Sequence, residues 1–146
     1  MQPQDPGHED RIRASFAKQT FMATIGARLA SVRPGEVVIE LPFRADLVQQ
    51  HGFLHAGVVT AVVDSACGYA ALSLMPPGAA VLSVEFKVNL LKPAAGASFR
   101  AVGKVIRAGR TLTVCSGELE AIGHERSVVA VMQATMMTVR DRPLED

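Results

Sequence analysis

The chain has 146 residues, 49% of them hydrophobic and 20% charged, a size and balance that suit one globular domain over residues 1–146 and exclude a disordered segment. Its 15 basic and 14 acidic residues leave a formal charge of +1, which lacks the basic footprint of a nucleic-acid binder. Cys67 and Cys115 fall in apolar runs without metal-ligand spacing, and no secretory hydrophobic segment follows Met1-Gln2-Pro3-Gln4, so a reducing, cytoplasmic setting is expected.

Residues 1–8 and 141–146 have the composition of frayed ends. Ile12, Phe16 and Phe21 recur at roughly helical intervals among charges, which predicts a short amphipathic helix over Asp10 to Phe21. Apolar and β-branched residues from Thr24 to Val32 and from Glu36 to Leu41 flank Arg33-Pro34-Gly35 and predict a hairpin, with Pro42 ending its second strand.

A loop carrying Asp46, Gln49, Gln50, His51 and Gly52 then leads into the one long apolar stretch, Gly57 to Met75. Its length marks a helix, and its apolar residues spread around most of the circumference, as in a helix enclosed by other structure. Asp64 within it argues against a membrane span, because a mid-helix Asp costs about 2.5–3.5 kcal/mol on insertion. Pro76-Pro77-Gly78 must end it.

Only strands follow. Val84, Phe86, Val88 and Leu90 alternate with Ser83, Glu85, Lys87 and Asn89, the period of two of a half-buried strand. Phe99 to Ile106 and Thr111 to Ala121 flank a turn at Arg107-Ala108-Gly109-Arg110. Ser127 to Val139 is apolar on both faces, which predicts cover on both sides. The order is α+β, with one antiparallel sheet wrapped around a long central helix.

Three features of residues 49–64 carry chemistry. The helix start near Gly57 leaves backbone N–H groups without helical partners, and these can hold an oxyanion. Asp64, the only charged side chain between Asp46 and Glu85, is costly to bury unless it is used or paired. It could serve as general base toward water or attack a carbonyl itself. His51 and His55 bracket the loop, but Gly52 breaks a helical metal pair and no third ligand stands near. No metal is therefore expected, and His55 is read as orienting the loop before Gly57.

Cys67 has no basic neighbour in sequence, Ser65 lacks a nucleophile elbow, and Tyr69 is read as core filling. Arg107 and Arg110, with Lys87 and Lys92, are candidates for substrate phosphates.

The run His51-Gly52-Phe53-Leu54-His55-Ala56-Gly57, Asp64 after it, and Leu82-Ser83-Val84-Glu85-Phe86 with Leu91-Lys92-Pro93 resemble the hotdog-fold thioesterases, and among them the phenylacetate-pathway (PaaI-like) acyl-CoA type. The resemblance covers roughly residues 24–139. It implies hydrolysis of aryl- or medium-chain acyl-CoA without a cofactor, and two subunits joined into one sheet, with dimers pairing into a homotetramer and sites at the boundary. It further implies that Asp64 is base or nucleophile, that the Gly57 N–H polarises the carbonyl, that Gln49 orients water or substrate, and that Ser83 approaches Asp64 across the boundary. Many relatives carry Asn at the Gln49 position and Gly at the Ala56 position.

Strand parity conflicts with one of these roles: if Phe86 and Val88 face the helix, Ser83 points away unless the strand bulges or a partner supplies the site. A hotdog hydratase or dehydratase using His55 with Asp64, and a non-catalytic acyl-CoA binder, are the competing readings.

Overall fold

A computed structural model of the chain describes residues 1–140 and 144. The expectation for 141–146 therefore lies almost wholly outside the described residues. Two helices, α1 (His8–Lys18) and α2 (Thr20–Thr24), precede a hairpin of β1 (Arg28–Arg33) and β2 (Glu36–Pro42). A 3₁₀ turn at Ala45–Leu47 leads to α3 (Ala56–Leu72), then to β3 (Ala80–Leu90), β4 (Ser98–Ala108), β5 (Leu112–Ile122) and β6 (Arg126–Val139). The strands form one antiparallel sheet in the order β1-β2-β4-β5-β6-β3.

Two expectations at the amino end need correction. The first helix stops at Lys18 because Gln19 is extended, and a second short helix follows. The strand begins at Arg28 and not at Thr24, since Thr24 ends α2 and Gly26 turns the chain at φ +75°. Within residues 1–8, Gln4 Nε2 donates to the Leu74 carbonyl and Asp5 pairs with Arg11 at 3.3 Å.

Arg11 ties α1 to the far end of α3. Its guanidinium donates to the carbonyls of Leu72, Met75 and Pro76, which satisfies acceptors that a helix C-terminus leaves open and places positive charge at the negative end of the dipole.

The helix α3 lies across the sheet with Val59, Val62, Val63, Ala66 and Ala70 buried against Phe99, Ala101, Cys115, Ala134 and Met136. Each buried Val contributes about 1.5–3 kcal/mol through removal from water. Contact is closest where Gly103 of β4 pairs with Gly117 of β5. A Cβ at Gly103 would lie 2.3 Å from the backbone carbonyl of Ala66, and one at Gly117 2.4 Å from Val63 Cγ1. The two glycines form the seat of the helix.

The outer face of the sheet is polar, with Arg100–Glu120 at 3.2 Å and Lys104–Glu36 at 3.3 Å. Within the chain β6 is covered on its helix side alone; on the other face Gln133 is exposed and Val131, Thr135 and Met137 are half-buried. The expected cover on both sides is absent here because the chain supplies a single helical layer.

Substituting Gly103→Ala should destabilise the fold by about 3 kcal/mol, the upper range for overpacking, as measured by urea unfolding. Gly68→Ala in α3, where an added Cβ meets nothing within 4 Å, should stabilise by up to about 1 kcal/mol through helix propensity. Equal effects of the two substitutions would contradict the seat.

Candidate active site

The loop before α3 is held by backbone geometry. Gln49 N–H donates to the Phe53 carbonyl, Gly52 N–H to the Gln49 carbonyl with Gly52 at φ +84°, and the Gln49 side chain accepts from the His51 N–H. Leu54 is tied to Ala94 and His55 to Leu47, so the loop delivers His55 to the helix N-cap. There His55 Nδ1 accepts the Gly57 N–H at 2.8 Å. This corrects the expectation of a Gly57 N–H without partner: the imidazole of the neighbouring loop already caps it.

Two helical turns further on, Asp64 meets Ser83. The Ser83 hydroxyl donates to Asp64 Oδ1 at 2.8 Å, and both residues belong to the same chain, not to opposite sides of a boundary. A β-bulge makes this contact possible. Pairing of β3 with β6 shifts between Ser83, opposite Met136, and Glu85, opposite Thr135. Val84 is the extra residue, so Ser83 shares the helix-facing side with Phe86 and Val88 despite the odd spacing.

Burial pushes the Asp64 carboxyl above its usual range, and the bond donated by Ser83 opposes that rise. Burial also pushes both thiols up, Cys115 to about 12, so neither is a nucleophile at neutral pH.

Asp64 and Ser83 line a cavity of about 270 Å³ whose walls include Ser15, Gln19, Gly68 and Tyr69. Two of these wall residues, Ser15 and Gln19, come from α1 and its exit. The expectation that Tyr69 only fills the core needs correction: its hydroxyl accepts from Gln19 Nε2 at 2.8 Å and lies 3.3 Å from Ser15 Oγ. Its burial in an apolar helix run hid this polar tip, and a signal was available only in the general need of a buried Tyr hydroxyl for partners.

Gln49 and His51 line a second cavity, about 490 Å³, with Phe53, Leu90, Lys92 and Val129. Gly57 lies beside it, next to lining residue Ala56, and about 10 Å along the helix axis from Asp64. One chain therefore does not bring the helix start and Asp64 to a single reacting atom. Arg110 lines a third cavity with Met75 and Arg140, and Arg107 is exposed near the end of β4. Neither lines the first two cavities, and Lys87 is exposed on β3.

A carboxyl raised by burial is neutral in both folded and unfolded states well below pH 3.8 and charged in both above its folded value, so the cost of its burial grows as pH rises through that window and stays in full above it. Asp64→Asn should therefore melt higher than the unsubstituted chain at neutral pH, with the advantage fading as pH falls toward 3.8. Thermal unfolding across pH measures this, and a variant that melts lower at neutral pH would contradict it. Ser83→Ala should move any activity-linked acidic titration upward, because it removes the group that opposes the rise.

Among the described residues no helix is long and apolar enough to cross a membrane. Residues 51–128 match the model of the thioesterase superfamily. The crystal structure of a thioesterase family protein from Silicibacter pomeroyi superposes with a TM-score of 0.91 at 50% identity, covering 92% of this chain and 100% of that one. The E. coli PaaI protein from the phenylacetic acid degradation operon has the same fold, with a TM-score of 0.83 over 94% and 96% of the two chains at 18% identity. Human acyl-coenzyme A thioesterase 13 is 28% identical over 110 residues, 74% of this chain and 78% of that protein. With a matching family model, and a six-stranded antiparallel sheet wrapped on one long helix, the chain belongs to the thioesterase superfamily and has its hotdog fold.

Proposed function

We propose that this chain hydrolyses acyl-CoA thioesters, with aryl or medium-chain acyl groups, at a site completed by a second copy of itself. The observation that carries the reading is the Asp64 carboxylate, held by Ser83 on the wall of a cavity in a member of this superfamily. The human relative, a named acyl-CoA thioesterase, supports the substrate class.

The need for a second copy follows from the distance between Asp64 and the helix start, and β3 supplies the means. This strand of 11 residues forms one edge of the sheet and exposes Leu82, Val84, Phe86 and Leu90. A long apolar edge invites pairing with another strand. Antiparallel pairing of β3 with its own copy about a two-fold axis near Phe86 sets the Ser83 end of one strand beside the Leu90 end of the other. The Asp64 cavity then adjoins the partner's cavity with its Gln49, Lys92 and Gly57. Dimers pairing into tetramers would leave this unit unchanged.

In the composite site the thioester carbonyl oxygen points at the N–H of Gly57 from the partner, which His55 Nδ1 shares or releases. Asp64 takes a proton from a water whose oxygen attacks the carbonyl carbon. The C–S bond then breaks, the thiolate takes up the proton, and acid and CoA thiol leave. Direct attack by the carboxylate, followed by hydrolysis of the anhydride, reaches the same products. The partner's Gln49 faces the reacting water or carbonyl, and Lys92, with Arg107 and Arg110, is available to CoA phosphates.

Asp64→Asn should lower kcat on acyl-CoA esters by about 10²–10⁴-fold, the range for a lost acid–base group, while the protein stays folded and binds the esters. Thiol release across an acyl-CoA panel reads this, and equal release by both proteins would refute the role of Asp64. Phe86→Lys should give a folded monomer by sedimentation with turnover lost. A fully active monomer would refute the shared site.

A further inference from the structure

We propose that Glu85 and Lys87 act as a charge code on the open edge of β3, each pairing with the other residue of a second copy, so that the edge accepts its own kind in one register. The inference rests on the edge pairing proposed above and adds what fixes its register and its choice of partner.

The backbone of the edge sets which residues can meet. Leu91 N–H donates to the Val129 carbonyl beside β3, and peptide groups alternate sides along a strand, so Asn89, Lys87 and Glu85 also direct their hydrogen bonds to β6. Phe86, Val88 and Leu90 direct theirs to the open edge. A two-fold axis normal to the sheet keeps both long helices on one side, and it must pass through a residue position. With the axis at Phe86, the two Phe86 residues exchange both backbone bonds, and Glu85 of each chain stands opposite the partner's Lys87. These become non-hydrogen-bonded pairs, whose side chains approach most closely.

The two charges are not used within the chain. Both residues are exposed, and among the described residues neither forms an ion pair. Elsewhere on the same sheet Glu36, Glu40 and Glu120 meet Lys104, Arg28 and Arg100. The Thr135 hydroxyl donates to Glu85 Oε1, which anchors the carboxylate and leaves Oε2 for a cation. Charges on an edge strand ordinarily discourage pairing. Here opposite signs on either side of Phe86 discriminate among registers. An axis at Glu85 sets two carboxylates face to face, one at Lys87 sets two ammonium groups so, and one at Val88 leaves both charges unmatched. Only the axis at Phe86 matches both, and an edge strand without this alternation finds no match.

The test uses the full chain with Glu85→Lys, with Lys87→Glu and with both exchanged, each checked for an intact melting transition and sedimented at low salt. Each single variant sets like charges opposite one another twice per dimer, so self-association should weaken by about tenfold or more. The double exchange rebuilds both pairs and should restore association. Glu85→Lys and Lys87→Glu chains refolded together match in both pairs. About nine-tenths of their dimers should therefore be mixed by native mass, against the half that indifferent pairing gives, and high salt should reduce that excess. Dimers that mix at random, or single variants that associate like the unsubstituted chain, overturn the charge code while leaving the pairing of edges intact. An unsubstituted chain that sediments as a monomer overturns both the code and the shared site.

Discussion

The structure depends on how closely α3 can approach the sheet. At the paired glycines Gly103 and Gly117 there is no room for a methyl group between strand and helix, because Ala66, Val63 and Cys67 already fill it. That approach sets the depth at which the helix lies and thus where Asp64 projects. With larger residues in the seat, the helix would ride higher and its carboxylate would leave the reach of Ser83. The cost is a helix made largely of small residues, Ala61, Ala66, Ala70 and Ala71 among them, which bury less area each but pack more closely.

The edge strand does a second task that follows from the first. Its bulge at Val84 turns Ser83 toward the helix while leaving Phe86 and Val88 on the same side, so one strand both supports Asp64 and presents an apolar border. Bulges that re-aim a side chain are a known device beside functional sites. The exposed apolar border and the Ser83 hydroxyl that holds the carboxylate lie on the same element, so under the proposed pairing assembly and site geometry share one strand. A lone chain then has Gly57 and Asp64 at opposite ends of two helical turns.

Much of the architecture was legible from residue patterns. The apolar length of α3 and the Pro76-Pro77-Gly78 stop located the helix to within a few residues. Period-two alternation and turn glycines located the later strands, because both signals are local. The contacts that matter most for the site were not local. Nothing in the neighbourhood of Gly103 or Gly117 distinguishes a helix seat from a turn residue. The bulge was posed as one resolution of a parity conflict, and only the β3–β6 register decides it. The split at Gln19 has no local signature, because Phe16 and Phe21 suggest one continuous period. Tyr69 lost its polar partners from view because they come from α1, some fifty residues earlier in the chain.

The central claim is that each site takes Asp64 from one chain and Gly57 from the other, and complementation between two inactive variants tests it most directly. Asp64→Asn removes the carboxylate, and Gly57→Pro, in the first turn of α3, removes the N–H that His55 Nδ1 accepts. Chains of the two kinds, unfolded together and refolded at equal concentration, should recover about a quarter of the original thiol release, since half the dimers are mixed and one of their two sites is intact. Recovery near zero, with mixed dimers verified by mass, would contradict the shared site and place both groups' chemistry within one chain.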